Sequence, residues 1–150
     1  GRAPSNNEIG NNRQLANQLG IGDKVVFTGT VLYNDMPQLL KNANILALAR
    51  PDSIQAQNGF PTKLGEYLLT SNPVVVTRVG NIPNFIEDSV SGMLASPDDD
   101  NEFAEKLQWL IEHPNEAAEI GRKGKEVALM NFNNEIEARK IVDTMLCHNG

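Results

Sequence analysis

Short runs of β-branched and apolar residues alternate along the chain with stretches whose apolar residues recur every three or four positions. The runs fall at residues 24–28 (KVVFT), 45–49 (ILALA) and 74–77 (VVVT), with a weaker one at 92–95 (GMLA). The run at 74–77 has no polar alternation, the pattern of a strand covered on both faces of a parallel sheet. Helical spacing at 12–19 puts Leu15, Ala16 and Leu19 on one stripe, which Gly20 stops. Residues 35–43 group Met36, Leu39, Leu40 and Ala43, with Asp35 as N-cap and Pro37 in the first turn. Residues 61–70 align Leu64, Tyr67 and Leu68, and Ser71, Asn72 and Pro73 end that helix before the next run. A short helix follows at 84–87. From residue 100, Phe103, Leu107, Leu110 and Ile111 mark a helix ending at His113 and Pro114, and 116–131 and 134–146 read as two more. Strands alternating with helices through short loops predict an α/β fold with a parallel sheet and right-handed crossovers.

Composition narrows the function classes. The 150 residues are 40% hydrophobic and 21% charged, enough for one domain with a core of its own. No apolar run approaches the roughly 18 residues of a membrane-spanning helix, and no basic, apolar leader opens the chain. The single Cys147 makes neither an internal disulfide nor a thiolate metal site, and a reducing cytosol fits it. A net charge of −6 argues against a nucleic-acid partner. Four strand signals make a small sheet, and the first comes only after an Asn-rich opening, so the start reads as a cut through a larger domain.

Ligands of open α/β sheets sit outside the carboxyl ends of the strands. The loop after the 45–49 run is long and polar, and it enters the 61–70 helix directly. A helix start offers unpaired N–H groups and partial positive charge to an anion. Gly59 lets a ligand approach the backbone there, and Lys63 adds a positive charge where helices usually prefer acids. The plainer reading of Lys63 is a solvated lysine. Thr62 and Glu66 stand four apart on one face, so Glu66 is placed to accept hydrogen bonds from a sugar diol; the plainer reading is complementarity to the helix dipole. Arg50 and Arg78 follow strand ends on the same edge and are candidates to face a phosphate, and Gly80 and Pro83 frame a second strand-to-helix turn. Dinucleotide fingerprints, P-loops, HExxH and Cys/His clusters are absent from the sequence, and neither His113 nor His148 has a nucleophile to serve. Phe103 and Trp109 read as packing, and Arg122, Lys123 and Lys125 as a solvated face.

Residues 58–77 (NGFPTKLGEYLLTSNPVVVT), followed by 79–83 (VGNIP), resemble the donor-binding half of the family 4 glycosyltransferases. Residues 19–29 (LGIGDKVVFTG) with Val31, residues 39–45 (LLKNANI), and Phe132 within 131–135 (NFNNE) extend the resemblance over nearly the whole chain. It implies a Rossmann-like parallel sheet with flanking helices, the C-terminal half of a GT-B enzyme. It also implies that the first two strands of the domain and the whole acceptor domain lie outside this chain. On this expectation residues 1–150 are a partial nucleotide-sugar-binding domain with a helical tail from about residue 100, inactive alone.

The family carries two glutamates with seven residues between them. Glu66 matches the second, which binds the nucleotide ribose; the first falls on Asn58, which hydrogen-bonds a sugar but carries no charge and cannot act as a base. The resemblance places Asn58 and Lys63 nearest the chemistry. It places Gly59, Phe60, Thr62, Glu66 and Gly80 on the donor, and Val31 and Tyr33 beside the base, with no acid at Tyr33 to favour guanine over uracil. It implies retaining transfer from a nucleotide sugar, a UDP-sugar by preference, with no cofactor or metal. The acceptor would be a glycan or lipid-linked and held by the absent domain. The location would be cytoplasmic, with any contact to the inner membrane face made by that domain. Two rivals stay open: a non-catalytic nucleotide-sugar or glycan-binding module, motivated by Asn58, and a phosphorylase with pyridoxal phosphate on Lys63.

Overall fold

A computed structural model describes residues 6–58 and 62–131. The chain divides into two units, Gly1–Met36 and Pro37–Gly150.

In the first unit, helix α1 spans Asn6–Gln18, starting well before residue 12 because periodicity registers only residues that must be buried. It stops where the sequence says. Gly20 takes a φ of +69°, its N–H bonds Asn17 O, and the Ile21 N–H reaches back to Ala16 O, a Schellman cap. The expected strand at 24–28 does not form. A β-ladder needs a second strand to take its backbone groups, and this unit contains none among its described residues. Val26 is instead 82% exposed, and Phe27 packs its ring under the Arg13 guanidinium at 4.9 Å.

Helix α2 (Met36–Lys41) leads into the second unit. There three strands, β1 (Leu46–Leu48), β2 (Val74–Thr77) and β3 (Met93–Ala95), form a parallel sheet in the order β1-β2-β3. Among the described residues the sheet thus has three strands where the sequence predicts four. Leu46 pairs with Val74 and Val75 with Met93. Central β2 is buried along its whole length, as its unbroken apolar run requires.

Alternate residues of a strand face opposite sides. Val74 and Val76 join Leu46 and Leu94 in a core with Leu64 and Leu68 of α4 (Thr62–Leu69). Val75 and Met93 join Leu110 of α5 (Asp100–Glu112) and Ala117 and Ile120 of α6 (Pro114–Asn131). Asp99 caps α5 by accepting the Glu102 N–H at 2.9 Å. Helix α6 starts at Pro114 rather than at residue 116, proline being suited to a first helical position.

Two glycines seat α6 across the amino ends of the strands. A side chain at Gly121 would meet the backbone of Ser71, Asn72 and Pro73, just ahead of β2; one at Gly124 would come 2.7 Å from Ser91 O, just ahead of β3. The carboxyl ends are left to loops. The short helix expected at 84–87 is a single tight turn at Ile82–Asn84, drawn forward by Pro83. The expected helix at 134–146 and Phe132 lie outside the described residues. Among those described, no helix is long and apolar enough to cross a membrane.

Candidate functional site

The connection from β1 to α4, expected as loop, contains a further helix, α3 (Ile54–Asn58). Its start is a side-chain cap: Ser53 Oγ accepts the Ala56 N–H at 3.2 Å while Ser53 O takes the Gln57 N–H at 2.9 Å. Gln57 Nε2 donates to Asp52 Oδ1 at 2.6 Å. Ala56 is the one buried residue of α3 and enters the same core as Leu64 and Val79. Apolar periodicity could not reveal a helix with a single buried position; Ser53 was the available signal.

Helix α4 divides by face. Leu64, Gly65 and Leu68 are buried, which anchors the helix on the sheet, whereas Thr62, Lys63 and Glu66 are exposed. The helix therefore projects a hydroxyl, an ammonium and a carboxylate from its first two turns, with Thr62 and Glu66 one turn apart. Half-buried Tyr67 lies beside Glu66; burial, and then the glutamate's charge, push its hydroxyl pKa above the ordinary value. The first-turn N–H groups of α4 have no acceptor within the helix itself. Gly59 and Phe60, expected to contact the donor through their backbone, lie outside the described residues.

Asn58 ends α3, exposed, and one of its amide hydrogens is committed to Ile54 O at 2.9 Å. Gly80 stands next to the same turn: with φ at +56°, a methyl group there would lie 2.5 Å from Ala56 O and 3.0 Å from Gln57 O. Its lack of a side chain lets the loop after β2 lie directly on the end of α3. Asn58 and Gly80, far apart in sequence, thus border one junction. Val31 and Tyr33 belong to the first unit, ahead of α2; Val31 is half-buried and Tyr33 is 92% exposed.

The two arginines take different roles. Arg50 is held by its backbone: its N–H donates to Thr77 Oγ1, which donates in turn to Arg50 O, both at 2.9 Å. Arg78 points toward Asp88 at 3.9 Å, but the close partner of Asp88 is Lys106, at 2.9 Å. Burial alone would raise the Asp88 pKa; the Leu94 N–H, Lys106 and Arg78 overcome it and hold the carboxyl below its ordinary range. His113 stacks on Trp109 with ring centroids 4.4 Å apart and caps α5.

A cleft of about 340 Å³ opens at the carboxyl ends of all three strands, lined by Arg50, Thr77, Ser96, Asp98, Phe103 and neighbouring residues. Sequence reasoning did not single it out, because it is assembled from three separate loops. It contains Arg50 but neither Asn58 nor the exposed residues of α4. Among the described residues no cluster of three or more His, Cys, Asp or Glu is arranged to hold a metal ion.

Residues 2–113 match the pattern of the family described as glycosyl transferases group 1. A trehalose synthase from Pyrococcus horikoshii is 36% identical over 76 residues, which are 51% of this chain and 18% of that protein. The crystal structure of Anabaena HepE in complex with UDP-glucose superposes with a TM-score of 0.80 at 24% identity, over 93% of this chain and 36% of the other. The C-terminal domain of a group 1 glycosyl transferase (LpcC) from Francisella tularensis superposes at 0.75 with 22% identity, over 86% of this chain and 64% of that domain. The chain thus spans about a fifth of the trehalose synthase and about a third of HepE. The fold is the α/β, Rossmann-like one found in part of GT-B glycosyltransferases, and the chain belongs to the glycosyl transferases group 1 family.

Proposed function

We propose that this chain binds a nucleotide-diphosphate sugar at the start of α4 and serves retaining transfer of that sugar to a glycan or lipid-linked acceptor. The observation that carries the reading is the outward row of Thr62, Lys63 and Glu66 on a helix whose other face is locked into the core. In this reading the first-turn amides and Lys63 face the diphosphate and stabilise the charge that develops as it departs, a role that needs no protein nucleophile and no cofactor. Glu66 accepts the two ribose hydroxyls. Gly59, Phe60 and Thr62 supply backbone contacts, Gly80 supports the turn, and the base is uracil by preference. That HepE is known in complex with UDP-glucose supports the choice of donor class.

Titration of the chain with UDP tests it. Loss of a charged acceptor costs about 1.5–3 kcal/mol, so Glu66→Ala should weaken UDP binding roughly 10- to 100-fold without lowering the unfolding midpoint. Equal affinities for the two proteins would reject the reading.

Asn58 favours a second reading, a nucleotide-sugar-binding module without turnover. The side chain is neutral, and one amide hydrogen is already given to Ile54 O. Measuring sugar release from UDP-glucose by the polypeptide that carries this domain with its acceptor domain separates the two: release above the uncatalysed rate favours the transferase, and binding without release the module.

A further inference from the structure

Two polar residues are buried among the described residues, Thr77 and Ser91. Ser91 serves its own turn, its Oγ accepting the Glu87 N–H at 3.0 Å. Thr77 is different. It closes the otherwise all-valine strand β2, is 4% exposed, and its hydroxyl reaches to a residue 27 positions earlier in the chain. A buried hydroxyl is costly unless paired, and valine would fill the same volume in a strand of valines. Thr77 Oγ1 is doubly paired, accepting from the Arg50 N–H and donating to the Arg50 carbonyl at 2.9 Å each. Arg50 opens the connection that carries α3, Asn58 and the entry to α4. Three residues further along β2's own exit, Gly80 presses on the carbonyls of Ala56 and Gln57 in that same connection. The exit of β2 therefore grips the connection at two points, its root through a hydroxyl and its helix through a missing side chain.

We propose that Thr77 is a positioning residue for the donor site: its hydroxyl fastens the root of the β1–α4 connection to the end of β2 and so sets where Asn58 and the start of α4 stand. The inference rests on the donor reading above. It assigns Thr77 no contact with the ligand. Without the hydroxyl, the two hydrogen bonds that tie the Arg50 backbone to the end of β2 are lost, whereas the strand itself keeps its packing.

Thr77→Val and Thr77→Ser, each compared with the parent chain, test this through two readouts. Amide hydrogen exchange at Arg50 reads the fastening itself: protection should persist in Thr77→Ser and fall at least about tenfold in Thr77→Val. UDP affinity, measured well below the unfolding midpoint, reads the consequence: Thr77→Val should raise the Kd about tenfold and Thr77→Ser should restore it. Unchanged Arg50 exchange in Thr77→Val overturns the inference, as does lost protection with an unchanged Kd. If Thr77→Val binds UDP normally while Glu66→Ala does not, positioning by Thr77 fails and the donor reading stands. If the parent chain binds no UDP, both fail.

Discussion

The two ends of the sheet are built by different rules. At the amino end, α6 lies across the strands so closely that Gly121 and Gly124 have backbone where a side chain would be. At the carboxyl end, the connections leave an open cleft, an exposed polar row on α4, and links made by single groups, the Thr77 hydroxyl and the bare Cα of Gly80. The closed end holds the fold together through contact area. The open end holds a geometry through a few directional contacts, which cost little in stability and so leave room for a ligand to supply the remainder. Substitutions should therefore separate: stability falls at one end, and affinity at the other.

The largest expected effect breaks the closed end. Gly121→Val pushes a branched side chain into the backbone of residues 71–73 and should cost about 3 kcal/mol in urea unfolding, while the protein that stays folded keeps its UDP affinity. A midpoint within error of the parent would mean that α6 does not seal that end. At the open end, Glu66→Ala should give the reverse pattern, with affinity lost and midpoint kept.

A smaller effect, belonging to neither end, lies along the outer edge of β3. There Asp88 takes the Leu94 N–H at 2.8 Å and Lys106 at 2.9 Å. Its pKa is lowered by folding, so its contribution is complete above the unfolded value of about 4 and fades as pH falls through the lower folded value. Because the carboxylate is a third exposed, that contribution should be about 1 kcal/mol or less. Urea midpoints of the parent and Asp88→Asn should differ at pH 7 and converge below about pH 4. A constant gap would remove the charge from the explanation.

Much of the fold was legible because burial leaves a periodic trace. The 74–77 run appears as β2 without adjustment, and Gly20 ends α1 by the expected cap. The 24–28 run misled because a run of β-branched and apolar residues reports a tendency to be covered, not the presence of a neighbouring strand. Helix α3 was missed for the opposite reason: with Ala56 alone buried, it has no stripe to detect. In the site, the shared face of Thr62 and Glu66 follows from helical spacing. The grip of Thr77 on Arg50 and of Gly80 on α3 joins residues that only the sheet brings together, so no local pattern announces either.

The central claim is that the ligand meets the start of α4. Residue-resolved amide exchange of the chain with and without saturating UDP locates it directly. The account predicts slowed exchange at residues 62–66 and none at residues 98–103, which border the 340 Å³ cleft. Protection confined to 98–103, with 62–66 unaffected, would contradict it.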